Sequence, residues 1–474
     1  MSHIVVIGAG PAGCVFAASM AQLGHEVTLI ERLAFPRMRL GESLSAGVLP
    51  LLEMIGARDA VERAEFPHVH AVSTTWADSE QERRDPEGRG LLVDRGRFDA
   101  LLLRRAVAVG VRVLQPATVE EHGRIDERWR LRIACEGRRL DLDADFLADA
   151  TGRRGVLRGR RTRQPVSTVA LYAYWRGPGL PEQPRIEAAA DAWLWGVPLS
   201  DGLFNTLVFL DPSTLRRERG RSLTTILQEY VARSELLKGI GDAGRGSLSC
   251  PAAPVTLLGP AQAIDATPYV DDHAVTPASL KVGDAALAID PLSSSGVQKA
   301  IQTALSGAIV ANTLLRRPDA RDASVQFYRS SIAQAAARHA GWAAAQYARV
   351  ADAQGGTFWL ERAAGAAAPR DRRPPEARRF GEAVQLSSQL AFVDTPCIDG
   401  DFVTLKPAVA HPLLEEPVAY VGAWELRPLL GVVGRGMTPL DIARAWSDRM
   451  PLRSALQIAA WMLERDLLTH IHDS

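Results

Sequence analysis

The chain has 474 residues, more than one hydrophobic core usually serves, so two or three domains are expected. With 47% hydrophobic and 23% charged residues it reads as an ordinary globular protein, and its 55 basic and 55 acidic residues cancel, which argues against nucleic acid or an anionic membrane as partner. Four scattered cysteines, Cys14, Cys135, Cys250 and Cys397, make no C-x-x-C pair, no apolar run reaches a membrane span and no basic leader precedes the first strand, so a cytoplasmic protein with neither disulfides nor a metal is expected.

His3 to Ile7 reads as a strand, the turn GAGPAG opens a helix over Cys14 to Leu23, and His25 to Glu31 reads as the next strand, a βαβ opening. Asp94 to Val109 has apolar residues at helical spacing, Val111 to Val113 returns to strand, and Phe146 to Ala150 is an apolar strand closed by Thr151-Gly152. From about Pro165 to Val270 short β-type runs such as Thr168 to Trp175 and Ala192 to Val197 point to an inserted sheet. Strand and helix return over Ser279 to Leu315. Arg362 to Arg379 has the Ala, Arg and Pro content of an exposed linker. Phe402 to Val421 reads as a β-hairpin, and Leu426 to Leu467 as three short amphipathic helices with Pro439 and Pro451 in first turns. The expected fold class is α/β. It comprises a Rossmann-like dinucleotide-binding domain (1–65, 90–164 and 276–330), an inserted β-sheet substrate domain (66–89 and 165–275), a helical segment and linker (331–390), and a small C-terminal winged-helix-like module (393–474).

Gly8-x-Gly10-x-x-Gly13 follows a strand, opens a helix and is matched by Glu31 at the end of the next strand. That context makes it a dinucleotide fingerprint: the glycines allow a tight turn and close approach of a pyrophosphate to the helix N-terminus, and Glu31 accepts hydrogen bonds from a ribose diol. FAD and NAD are not separated by it.

PRMRLGESL (Pro36 to Leu44), VDRGRFDALL (Val93 to Leu102), ADATG (Ala148 to Gly152) and GDAALAIDPLSSSGV (Gly283 to Val297) separate them. In order and spacing these resemble the flavin-dependent monooxygenase and halogenase superfamily over about the first 310 residues. The resemblance implies FAD as cofactor, with Asp284 on the ribityl or ribose hydroxyls, Pro291 flanking the isoalloxazine, and the Gly296 and Val297 amides at its pyrimidine edge. It also implies Arg95 near the pyrophosphate or ribityl chain, Glu42 and Ser43 beside the flavin, and Ala12, Arg39 and Val119 among the cofactor contacts. A helix start with free N–H groups suits the negative charge of reduced flavin.

Trp193-Leu194-Trp195-Gly196-Val197-Pro198 is similar to the W-x-W-x-I-P signature of flavin-dependent halogenases, although aromatics two apart on a strand share one face and are commonly packing residues. Both are expected to border the substrate pocket. Against halogenation, the resemblance requires a lysine after the GES segment, and Leu51 to Gly110 contains none; Ser293 stands where tryptophan halogenases carry a glutamate. His68 and His70 lie in that segment and are the candidate acid-base residues. The pattern resembles flavoproteins that hydroxylate a tryptophan side chain of a protein during quinone-cofactor maturation. It implies a monooxygenase that works through a flavin C4a-hydroperoxide, with O2 and with reducing equivalents from NAD(P)H or a separate flavin reductase. The implied substrate is a peptide or small protein, held in a complex with a radical cross-linking enzyme. The basic runs Arg153 to Arg163 and Arg370 to Arg379 are its candidate docking surfaces. A flavin-dependent halogenase and a polyprenyl reductase are the alternatives.

Overall fold

The computed structural model describes residues 1–77, 81–85, 88, 90–241, 255–365 and 380–471. Cys250 and the basic run Arg370 to Arg379 lie outside the described residues; Cys14, Cys135 and Cys397 are free thiols. Two compact units are formed, Met1–Pro318 with Tyr328–Ala367, and Asp319–Phe327 with Ala368–Ser474.

In the first unit, β1 (His3–Ile7) lies at the centre of a six-stranded sheet. β2 (Glu26–Ile30) and Arg112–Leu114 lie to one side, Phe146–Asp149 and Ser279–Lys281 to the other, all parallel, with Val275–Thr276 as an antiparallel edge. Ile4, Val5, Val6 and Leu147 are fully buried, the near-continuous apolar run that a strand covered on both faces needs. Helices Arg95–Ala108 and Gly296–Arg316 both pack on α1 (Pro11–Gln22). A three-stranded antiparallel meander, Ala117–Ile125, Arg128–Cys135 and Arg138–Ala144, was not anticipated from sequence; its Leu131 and Ile133 share a core with Val5 and Ile30.

The second sheet has eight strands. Val169–Arg176 pairs with Leu203–Leu210, which pairs with Ala192–Pro198, then Arg185–Ala188, then Ala71–Thr75 and Gln81–Arg84, so residues from 66–89 and from 165–275 build one sheet. Its strands alternate as a half-buried strand must: Leu171, Ala173 and Trp175 face a core with Ile226 and Val231, while Ala170 and Tyr172 face the other way, toward Trp193 and Phe209. A helix of 34 residues, Arg321–Gln354, runs across the expected boundary at 330.

In the second unit the hairpin expected over Phe402 to Val421 is placed differently. Ala391–Asp399 pairs with Phe402–Ala410, and Tyr420–Val421 pairs separately with Trp424–Glu425. The first of these strands is exposed along most of its length, so burial imposes no alternation to read. The three short helices expected are present, Leu426–Leu430, Pro439–Ala445 and Leu452–Leu463, and share a core with Val409, Trp446 and Ile458. Thr438 and Asp441 form a capping box before Pro439 in the first turn, whereas Pro451 is the N-cap rather than a first-turn residue. Among the described residues no helix is long and apolar enough to cross a membrane, and no cluster of three or more His, Cys, Asp or Glu could hold a metal ion.

Candidate flavin and substrate site

A cavity of about 570 Å³ runs from the end of β1, past the start of helix Gly296–Arg316, to the face of the eight-stranded sheet. At its first end the chain turns at Gly8, φ +100°, where a Cβ would stand 2.6 Å from the Ala150 carbonyl oxygen. At Gly13 a Cβ would stand 1.8 Å from Gly8 O, whereas at Gly10 nothing lies within 4 Å. Crowding on one side and clearance on the other let a phosphate approach the α1 N-terminus, which has Pro11 in its first turn and no side-chain cap. Ala12 lines the cavity here and Gly13 is buried without lining it. Glu31, nearly buried, accepts from Ala9 N (2.9 Å) and Leu33 N (3.0 Å) and faces the same space.

The next part joins two motifs quoted separately above. Asp99, fully buried on helix Arg95–Ala108, accepts from Arg37 Nη1 at 2.9 Å and Arg95 Nε at 3.0 Å, while Arg95 Nη1 donates to Leu40 O at 2.6 Å. PRMRLGES is thereby clamped to DRGRFD. Burial alone would lower the Arg95 pKa; Asp99 beside it more than offsets this and raises it. Arg39 also lines the cavity, its pKa lowered by burial and by its neighbours Arg37 and Arg32.

Asp284 sits in the turn Gly283–Ala285 with Lys299 Nζ 2.6 Å from its Oδ1, and Lys299 also donates to Leu287 O. Burial by itself would raise the Asp284 pKa, but Lys299, Arg153 and Arg95 hold it below the usual carboxylate range, so it faces the cavity as an ionised acceptor. Beyond it Asp290 opens a short turn, Pro291–Ser293, Ser294 takes a left-handed conformation (φ 49°), and Gly296 begins a 21-residue helix whose N-cap, Ser295, makes no capping bond. Its first N–H groups therefore have no side-chain acceptor. Ser45 Oγ donates to Gln298 Oε1 at 2.7 Å, tying the GES segment to this helix, and Ser43 and Val119 line the wall nearby. Glu42 accepts from Gly41 N (2.8 Å), Tyr174 OH (2.7 Å) and Asn205 Nδ2 (3.2 Å); burial pushes its carboxyl above the usual range despite these bonds.

The far end is apolar. Trp193 stacks on Phe209 at 3.7 Å with an 8° tilt, and Trp195, half-buried on the same face, lines the wall with Ala170, Ile186 and Leu207. Asp290 stands in this wall too, held by Tyr347 from the 34-residue helix. One cavity thus brings together all the residues expected at the cofactor except Gly13, with both tryptophans. His68 and His70 are the correction: both are exposed, His68 Nδ1 lies 2.5 Å from Gly88 O, and neither lines the cavity. His68 lies on the two-residue strand His68–Val69, which pairs with Gly90–Leu92, and His70 follows it. Asp99, Lys299, Tyr174, Asn205, Asp290 and Tyr347 were not assigned to the site from sequence; the signals available were the i,i+4 spacing of Arg95 and Asp99 and the Asp-Pro turn start at Asp290.

The residues fit FAD: two helix starts without capping side chains, ionised Asp284 between them, Glu31 at one end and an aromatic wall at the other. Comparison with known proteins agrees. A family profile described as FAD binding domain matches residues 1–172, and one described as Tryptophan halogenase matches residues 88–382. A tryptophan 2-halogenase of Chondromyces crocatus is 29% identical over 347 residues, 69% of this chain; the chain spans 64% of that relative. The structure of the flavin-dependent halogenase CmlS superposes with a TM-score of 0.79 over 99% of this chain and 96% of that one at 21% identity, a likeness of fold. The peptidyl tryptophan dihydroxylase QhpG, essential for tryptophylquinone cofactor biogenesis, superposes with a TM-score of 0.73 at 27% identity, over 98% of this chain and 99% of that one.

Proposed function

The chain belongs to the tryptophan halogenase family of FAD-dependent oxidoreductases, and from that premise we propose that it is a monooxygenase that adds oxygen to an aromatic ring, the indole of a tryptophan in a peptide or small protein. The observation that carries oxygen rather than halogen is the make-up of the cavity wall: among the described residues no lysine lines it. Lys299 is committed to Asp284 and Leu287, Lys281 to Asp271, Lys238 to Glu235 and Lys406 to Asp399. The lysine-dependent delivery of hypohalous acid that the halogenase resemblance requires has no candidate here.

When bound, FAD supplies the redox chemistry that activates dioxygen, with electrons from NAD(P)H or a separate flavin reductase. The chain's own groups do the rest. Asp284 accepts from ribityl hydroxyls, and the N–H groups at Gly296 and Val297 favour negative charge at the pyrimidine edge. Trp193, Trp195 and the aliphatic wall exclude water and hold a flat ring. Tryptophylquinone cofactor biogenesis is the setting the likeness to the dihydroxylase supports; a complex with a radical cross-linking enzyme is part of the proposal. In the basic run at Arg153 to Arg163, Arg163 meets Asp265 at 2.9 Å, Arg161 lies 4.0 Å from Asp271 and Arg160 lies 3.9 Å from Asp272, so partner docking there would compete with internal pairs.

Halogenation of the ring is the second reading, and the comparisons favour it: the profile and the Chondromyces relative both carry that name. Intact mass spectrometry decides between them. The FAD-loaded protein is incubated with a tryptophan-containing partner peptide, reductant, oxygen and bromide. A gain of about 16 or 32 Da, one or two oxygen atoms, is expected; a bromine isotope doublet would establish halogenation and overturn the argument from the absent lysine.

A further inference from the structure

With His68 and His70 outside the cavity, the proton that leaves an aromatic carbon on substitution needs another acceptor. Resting on the ring-substitution reading above, we propose that Asp290 is that base.

Asp290 lines the cavity, as do Trp193 and Leu292. Leu292 N–H donates to Oδ1 at 3.0 Å, and the Tyr347 hydroxyl lies 2.9 Å from Oδ1 and 3.0 Å from Oδ2. Tyr347 is itself wedged against Trp76 and Trp359, ring centroids 6.4 and 5.9 Å away, so the carboxylate is aimed by a rigid aromatic wall. Burial raises the Asp290 pKa against the pull of the Leu292 amide, the Tyr347 hydroxyl and Arg362, the groups that act on it. A more basic carboxylate is a better proton acceptor near neutral pH. Tyr347 is no rival, because burial and Asp290 push its own pKa well up and it keeps its proton. Glu42 is the more heavily held carboxylate, with three donors, Gly41 N–H, Tyr174 OH and Asn205 Nδ2, against two on Asp290. In the step the ring C–H bond breaks, its electron pair returns to the π system, and the proton passes to an Asp290 oxygen; nothing is oxidised or reduced in it.

Asp290→Asn separates this role from turn capping, since the amide oxygen still accepts from Leu292 N–H and Tyr347 but cannot take a proton. In the FAD-loaded full chain, with the peptide that reacts in the mass assay, kcat is expected to fall at least about 100-fold with KM and FAD content kept. Ring deuteration of the peptide should slow the variant more than the parent, as proton loss becomes limiting. Turnover within about threefold of the parent overturns the assignment, as does loss of FAD in step with kcat. Independently of turnover, in 13C-carboxyl-labelled parent protein the aspartate resonance missing from the variant should titrate above the ordinary aspartate range, and titration within or below that range also overturns it. A parent chain that forms no ring product overturns the functional reading and takes this role with it.

Discussion

Replacing Asp99 by Ala tests the clamp that joins the two flavin-side motifs. The Asp99 carboxylate is fully buried and meets Arg37 and Arg95 at 2.9 to 3.0 Å, and both guanidiniums are about nine-tenths buried themselves. Removing it leaves two desolvated cations, Arg95 without its ion-pair partner and Arg37 with only Glu31, 3.7 Å away. Breaking one buried pair costs about 3–5 kcal/mol, a hundred- to several-thousand-fold in the folded-to-unfolded ratio, and the second cation adds to this. Urea unfolding of the FAD-loaded protein, followed by tryptophan fluorescence and by flavin release, measures it. The Arg37→Met/Asp99→Ala double variant should recover part of the loss, since one of the stranded charges goes with it. An Asp99→Ala chain that unfolds within about 0.5 kcal/mol of the parent, as an ordinary surface substitution does, would refute the reasoning.

Gly13→Ala should abolish FAD retention, because its Cβ would stand 1.8 Å from a backbone oxygen that cannot move aside; the ratio of flavin to protein absorbance after gel filtration checks it. Asp284 is held below the usual carboxylate range, so its contribution to stability is present above about pH 4 and is lost as pH falls through its lowered folded-state pKa. The stability gap between parent and Asp284→Asn, read by urea unfolding at a series of pH values, should therefore narrow on acidification. His68→Gln and His70→Gln, at exposed positions outside the cavity, should leave turnover within about twofold of the parent; a larger fall would return one of them to the reaction.

What could be read from the sequence was what is local in it. The turn at Gly8 to Gly13 and its partner Glu31 fall within one βαβ unit, where glycine spacing, helix start and strand end constrain one another. The cavity wall is not local. Arg37 and Asp99 are 62 residues apart, Asp290 and Tyr347 57, Glu42 and Tyr174 132, and no spacing rule links such pairs. Tyr347 also lies on a helix rich in alanine, where an apolar stripe is hard to tell from helix-forming filler. His68 and His70 read as candidates because they stand where a lysine was sought; in the fold both are exposed and neither lines the cavity.

The two helix starts that face the cavity, at Pro11 and at Gly296, have no capping side chain of their own. A cofactor that meets both sets of N–H groups thus finishes two elements of secondary structure separated by almost three hundred positions. Loading is then a late folding event as much as a binding event. Free FAD should protect both turns together from proteolysis and raise the unfolding free energy with the logarithm of its concentration. In a cell short of riboflavin, the abundance of this protein would fall before the rate of any molecule already loaded.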